Sequence, residues 1–427
     1  MAADLHVPAA SSGHTRGTAA SSGHIRGTAA PTGHTRGTPA FRRISLAMFA
    51  AGLATFTTLY CVQALLPALA TQWRLTPAAA SLAVSVSTAA LAIGVIPLTV
   101  LSEALGRTRV MTAALFTSAI LGILAATSPD FTVLLALRGL QGLALAGLQA
   151  VAMSYLAEEL HRGSLGPSMG LFVAGNGIGG MAGRLLAALL GDLAGWRWAL
   201  AVIGLVALAC SILFRLAVLP SAHFRPRPMK LRALAGSIGH AFTDTGLPLL
   251  FTVGVLAMGA LVTVYNYLGF RLLRPPFDLP ASIVGLVFVV YLAGSFSSTI
   301  AGRLADRFGR QRLVWPAAAV MLAGVVLLRP NELAVIVIGL IVLTSGFFAV
   351  HALVSGWVGA RSAALKVQGS AVYLCAFYLG SSVGGSLGGL AFGAGGWTGV
   401  TWYTGALVLA VVALGLVLRR LAPVRAA

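Results

Sequence analysis

Apolar residues in this chain neither alternate nor keep to one helix face. They run on for about twenty positions at a time, the length a helix needs to cross a bilayer, and are broken by short polar turns. Twelve such runs are readable, at 44–70, 79–101, 109–128, 131–155, 166–189, 197–219, 247–270, 280–302, 313–329, 332–355, 368–393 and 398–419. Helices apolar on every side need lipid or other helices around them. The pattern therefore predicts an all-α membrane protein with twelve transmembrane helices. Composition agrees: 58% of residues are hydrophobic and 9% charged, with a mean hydropathy of +0.91. That excludes a soluble enzyme, a disordered hub and a disulfide scaffold. Cys61, Cys210 and Cys375 all fall inside apolar runs, without metal-site spacing, and read as small packing residues.

The formal net charge of +19 changes the picture only through its distribution. With the N-terminus placed inside, about 22 of the 29 Lys and Arg fall on the cytoplasmic side and about five outside, the positive-inside bias. Both termini are therefore expected in the cytoplasm. Charges scattered over short loops make no nucleic-acid surface; membrane lipid is the expected macroscopic partner. Residues 11 to 40 are three near-copies of one decapeptide, SSGHTRGTAA, SSGHIRGTAA and PTGHTRGTPA, with no periodic apolar face and no apolar core of signal-peptide length. The expected organisation is a disordered tail at 1–43, a six-helix bundle at 44–219, a cytoplasmic linker at 220–246, a second six-helix bundle at 247–420 and a tail at 421–427. The linker carries Arg225, Arg227, Lys230 and Arg232, and its stretch 229–243 reads as an amphipathic helix on the inner leaflet.

The two bundles read as copies. Ser102-Glu103-Ala104-Leu105-Gly106-Arg107 after the second run matches Ala305-Asp306-Arg307-Phe308-Gly309-Arg310 after the eighth, 203 positions on. Gly175-Asn176-Gly177-Ile178-Gly179-Gly180-Met181-Ala182-Gly183 in the fifth run matches Gly380-Ser381-Ser382-Val383-Gly384-Gly385-Ser386-Leu387-Gly388 in the eleventh, 205 positions on. A duplicated six-helix unit implies a pseudo-twofold axis along the membrane normal and a site between the halves near the midplane.

At these residues the chain resembles the major facilitator superfamily. Gly302-Arg303-Leu304-Ala305-Asp306-Arg307-Phe308-Gly309-Arg310 matches that family's loop signature GxLaDRxGR. Arg138-Gly139-Leu140-Gln141-Gly142 looks like the RxxQG element of its drug-exporting branch. Gly179-Gly180-Met181-Ala182-Gly183-Arg184, followed by Gly195-Trp196-Arg197, is similar to the bacterial acriflavine-sensitivity-type subgroup. The resemblance implies a twelve-span carrier of the bacterial inner membrane. The first loop copy departs from the signature at Thr99, Glu103 and Ala104, and Asn176 stands where the antiporter motif GPxxGG has Pro.

Candidate chemistry follows from what remains polar inside the runs. The loop residues Glu103, Gly106, Arg107, Gly302, Asp306, Arg307, Gly309 and Arg310 are expected to form turns and charge pairs across the cytoplasmic side that latch one state. Gly175, Gly179, Gly180, Gly183, Gly380, Gly384, Gly385 and Gly388 clear one face of their helices and are expected to bring backbones together across the seam between halves. Tyr60, Gln63, Arg138, Gln141, Asn176, Tyr265, Asn266, Phe347 and Phe348 are the expected lining of the substrate cavity. No carboxylate falls mid-span. Arg138, Arg184 and His351 are the ionisable groups left inside, costly enough that each should meet a cavity or a carbonyl; they are the candidates for coupling to protons, the expected driving ion.

An aromatic, weakly polar cavity suits planar organic molecules better than sugars. The leading expectation is therefore a secondary transporter exporting small amphipathic organic compounds with the proton gradient, by rocking of the two bundles. The rival is an importer, exchanger or facilitator of a small anionic metabolite, suggested by two buried arginines without buried acids. No HExxH, GxSxG, Walker loop or His/Cys cluster supports an enzyme, so no catalytic residue, metal or cofactor is expected, and a monomer suffices.

Overall fold

In the computed structural model the described residues are 33–221, 231–365 and 368–421. The first two decapeptide copies, Arg225, Arg227 and Lys230 of the linker, and 422–427 of the tail lie outside them. The elements are helical throughout: α1 Pro39–Tyr60, a 3-10 turn Cys61–Leu65, α2 Leu66–Trp73, α3 Pro77–Leu105, α4 Arg107–Ala125, α5 Phe131–Glu159, α6 Arg162–Ala194, α7 Trp196–Ala217, α8 Leu231–Thr243, α9 Leu247–Leu272, α10 Ala281–Gly285, a second 3-10 turn Leu286–Val290, α11 Tyr291–Phe308, α12 Arg310–Leu327, α13 Leu333–Leu365 and α14 Gly369–Leu418. Among the described residues 11 helices are long and apolar enough to cross a membrane. The last is two spans, broken by non-helical backbone at Gly395 and Gly396. The chain thus has the twelve crossings the hydropathy pattern predicts.

Local signals place the ends. Thr38, Thr76 and Asp130 cap α1, α3 and α5 by accepting from the third backbone N–H beyond, and prolines open α1 and α3, where a missing N–H costs nothing. Gly106 and Gly309 take φ of +91° and +82°, a region closed to side chains with a Cβ. Each turns one helix into the next within a single residue, which is the physical content of the glycine in both loop copies. The ordered chain starts earlier than the hydropathy suggests. Within the span expected to be tail, α1 already begins at Pro39, and the third decapeptide copy lies along the α5–α6 turn: His34 N–H donates to the Glu159 carbonyl (2.9 Å), His161 N–H to the His34 carbonyl (3.1 Å), and Arg36 N–H to Ser164 Oγ (2.8 Å). Backbone hydrogen bonds, invisible to a hydropathy reading, hold it.

The glycines singled out by the repeat are placed otherwise than expected: Gly180 and Gly385 meet side chains, Arg184 and Phe56 for the first and Asn266 and Val262 for the second. Gly175, Gly179 and Gly183 lie against the α1 backbone at Phe49, Leu53 and Thr57, while Gly380, Gly384 and Gly388 lie against α9 at Val255, Gly259 and Thr263. A Cβ on Gly179 would stand 2.4 Å from the Leu53 carbonyl oxygen, and one on Gly380 2.3 Å from that of Val255. Thr57 Oγ1 donates to the Gly179 carbonyl (3.1 Å) and Thr263 Oγ1 to that of Gly384 (2.9 Å), so the two repeats use the same joint. These seams are internal to each half. The contact between halves runs instead along α3 with α14, where Ser386 Oγ donates to Ser85 Oγ at 2.9 Å, and along α6 with α10, where a Cβ on Gly285 would meet the Ala188 Cβ at 2.4 Å.

Candidate functional site

Two spans lose their regular hydrogen bonding at the same level of the molecule. The first run tightens into its 3-10 turn at Tyr60 (φ −111°, ψ 0°), and the eighth does so between α10 and α11. Such mid-helix 3-10 segments often mark hinges. Arg184 of α6 stands between them. Its Nε donates to Gln63 Oε1 at 2.7 Å and its Nη1 to the Gly180 carbonyl at 2.6 Å. The guanidinium carbon lies 4.7, 4.8 and 5.3 Å from the ring centroids of Tyr60, Tyr291 and Phe288. Arg184 is only 3% exposed, and among the described residues neutral groups alone hold it, two of the three rings coming from the second repeat.

The contacts continue across the junction. Gln63 Nε2 donates to Asn266 Oδ1 (2.7 Å), and the Tyr60 and Ser381 hydroxyls are 3.3 Å apart. Tyr265 shares a hydrogen bond with Thr344 (2.8 Å) and packs on Phe288 and Tyr291. From Tyr291, ring contacts lead through Phe348 and Phe347 to His351, whose Nδ1 is 3.0 Å from the Tyr373 hydroxyl. Asn266 is 1% exposed and its Nδ2 has no partner among the described residues. A cavity of ≈ 20 Å³ beside the cluster is lined by Gln63, Tyr265, Phe288 and Ala188. A recess of ≈ 540 Å³ lies next to it, lined by Ala64, Thr71, Asp192 and Arg274. Among the described residues no three His, Cys, Asp or Glu side chains gather to hold a metal ion.

The other candidates are placed elsewhere. Arg138, 1% exposed, donates to the carbonyls of Ala83 (3.2 Å), Thr58 (2.9 Å) and Leu59 (2.6 Å) and to Gln141, and Gln141 passes its amide to the Ser118 carbonyl (2.9 Å). Thr58 and Leu59 lie in the last turn of α1, just before the 3-10 turn, so Arg138 satisfies backbone at the break. It braces the break and lines neither of the two cavities described above. Asn176 faces Gly52 on α1, where a Cβ would stand 2.7 Å from its Oδ1; that oxygen is buried without a partner among the described residues.

The loop copies differ in their pairing. Arg107 binds Glu103 (2.6 Å) and Glu158 (2.9 Å), tying α3, α4 and α5 of one half together. At the loop-copy offset of 203, Glu158 falls on position 361, which is Arg. Arg361 cannot pair with Arg310 and turns to Asp244, at 2.5 and 2.8 Å. Asp306 is exposed and makes no ion pair among the described residues. Arg307 lies over the Phe308 ring (5.2 Å), Gly302 borders open space, and the Arg310 guanidinium lies against Gly356. Among the described residues the first loop copy is ion-paired within its own half, whereas Asp306 of the second copy is not paired.

Three participants escaped the sequence reading. Phe288 and Tyr291, three apart in the eighth run, carried a helical-spacing signal of their own. Arg271, read as just beyond the seventh run, sits inside α9, donates to the Leu328 (2.6 Å) and Pro330 (2.6 Å) carbonyls, and has Trp397 at 4.9 Å.

Comparison with known proteins agrees with this architecture. A family model described as Major Facilitator Superfamily matches residues 45–364. The chain is 42% identical to the inner membrane transport protein YnfM of Escherichia coli (strain K12) over 382 residues, 90% of this chain and 92% of that protein. It is also 42% identical to the uncharacterized MFS-type transporter YybF of Bacillus subtilis (strain 168) over 363 residues, 85% and 90% of the two. The inward-facing, unoccupied form of a bacterial homolog of the human lysosomal transporter Spinster is similar with a TM-score of 0.73, covering 90% of this chain and 98% of that one at 14% identity, a likeness of fold.

Proposed function

We propose, on the premise that the chain belongs to the major facilitator superfamily, that this multi-pass membrane transporter exports small amphipathic organic compounds by alternating access, driven by protons. The drug-exporting branch and its acriflavine-sensitivity-type subgroup are part of this proposal, as are a bacterial inner-membrane location, a monomer and termini on the cytoplasmic side. One observation carries it: side chains of both halves close over two broken helices around Arg184, in a cluster built of tyrosine, phenylalanine and amide groups. Such a junction is apolar enough for an organic body and polar enough to orient it. Parting α10 from α6 exposes it from one side, and closing them seals it. His351, hydrogen-bonded to Tyr373 at the far end of the ring chain, is the proton carrier in this reading, its ring nitrogens being able both to accept and to donate a proton.

A second reading, exchange or uptake of a small anionic metabolite, is favoured by the lack of any ion pair to Arg184 among the described residues. Everted membrane vesicles separate the two. Accumulation of a fluorescent amphipathic dye that collapses on adding an uncoupler supports proton-driven export. Substrate exchange indifferent to the uncoupler supports the second reading, and no flux of either kind overturns both.

A further inference from the structure

We infer that the Arg184 junction is a carboxylate seat, so that the transported compound is an amphipathic organic monoanion whose ring or chain takes the place of the gate's own aromatic side chains. This deepens the proposed function and rests on transport through that junction. A guanidinium withdrawn from water carries a desolvation penalty of several kcal/mol, which a counter-ion normally offsets. Among the described residues no carboxylate makes an ion pair with Arg184; Glu103 and Glu158 are bound to Arg107, Asp244 to Arg361, Asp130 caps α5, and Asp192 accepts from Ser282 N–H at 3.3 Å.

Arg184 is satisfied by one amide oxygen, one carbonyl and three ring faces, an arrangement that neutral groups complete only while the gate is shut. Its Nη2 makes no hydrogen bond among the described residues, which leaves donors for a second oxygen. Within two hydrogen bonds of it, through Gln63, the buried Nδ2 of Asn266 also lacks a partner. Two unengaged donor groups of different halves, joined by one amide, are left to donate to the oxygens of an incoming anion. The remaining cavity of ≈ 20 Å³ is too small for an organic molecule, so the seat fills only as the rings of Tyr60, Phe288 and Tyr291 move aside. A bound anion then replaces the cation–π contacts that hold the gate, coupling occupancy to opening.

The test uses the full chain in detergent with three probes of one shape: 1-naphthoate, its neutral amide and 1-naphthylmethylamine. Naphthoate is expected to bind at least tenfold more tightly than the amide, and the amine more weakly still. Arg184→Gln should erase the difference between acid and amide. Asn266→Asp, which supplies a built-in carboxylate, should weaken naphthoate while raising the melting temperature of the empty protein. Equal affinities for acid and amide in the wild type, preference for the amine, or no binding of naphthoate at 1 mM overturns the inference without recourse to a variant. Vesicle flux keeps the two claims apart. Transport of neutral or cationic dyes with no acid preference removes the seat and leaves the transporter, whereas selective acid binding without flux of any compound leaves the seat and removes the proposed function.

Discussion

Substituting Gly285 by Ala should drive the molecule out of the state described here. The added Cβ would stand 2.4 Å from the Ala188 Cβ, whereas carbon atoms rest about 3.5 to 4.0 Å apart. Neither atom sits on a flexible side chain, so α10 and α6 must separate by roughly 1 Å or more, or the closed state must bear the overlap. Overpacking of this kind costs about 1 to 3 kcal/mol. In the proposed cycle the opposite state parts these helices, so the cost falls on the closed seam alone. The equilibrium between states should therefore shift about 5- to 150-fold toward the open junction. A single cysteine at Leu268, which lines the small cavity and is buried, reports the change when Cys61, Cys210 and Cys375 are replaced by Ser. Its alkylation by a maleimide should accelerate at least fivefold with Gly285→Ala, and the further change Ala188→Gly should restore the slow rate by making room. An unchanged rate in a folded Gly285→Ala protein, or no restoration by Ala188→Gly, would refute the reasoning.

Arg138→Met should lower thermal stability, because four acceptors lose one donor group; breaking a buried charge from its partners costs about 3 to 5 kcal/mol, and a melting temperature within a degree of wild type would contradict the brace. Asp244 lies outside the spans: burial alone would raise its carboxyl, but hydrogen bonds from Arg361 and from the Leu247 and Gly246 N–H groups outweigh it and hold the pKa below the ordinary 3.8. A depressed folded-state pKa stabilises above the unfolded value and loses that contribution as pH falls through the folded one, so the melting-temperature gap between wild type and Asp244→Asn should be full at pH 6 and shrink below pH 4; a gap independent of pH would exclude ionisation as its source. His351→Gln should abolish uncoupler-sensitive flux while leaving substrate exchange, and retained proton-driven accumulation in that variant would move the coupling role elsewhere.

The spans were legible because lipid exposure is written into hydropathy: the run 131–155 became Phe131–Glu159, and 313–329 became Arg310–Leu327. The breaks were not. Residues 60–65 are as apolar as the helix before them, and a 3-10 turn leaves no mark on a hydrophobic pattern, so the carbonyls that Arg138 captures could not be anticipated. Likewise, a row of glycines states that something approaches closely but not which helix does. Tyr60, Gln63, Tyr265 and Asn266 stood out in the sequence because a polar side chain in lipid must meet a partner, and each does: Gln63 and Asn266 meet each other, Tyr60 meets Ser381 and Tyr265 meets Thr344. Asp244 and Arg361 were missed because their pairing compensates for a sign reversal in the repeat, which shows only when Glu158 and Arg361 are laid on the same position.

The one-residue corners at Gly106, Gly195 and Gly309 leave no slack between the helices they join. Neighbouring spans on either side of such a corner cannot slide past each other, since no stretch of loose chain exists to take up the displacement. At these corners mechanical compliance is therefore excluded and pushed outward, to the boundary where the bundles touch. Splicing a few flexible residues into any of these corners would be expected to soften a lever arm, sapping the force transmitted to the gate while leaving every ligand contact intact.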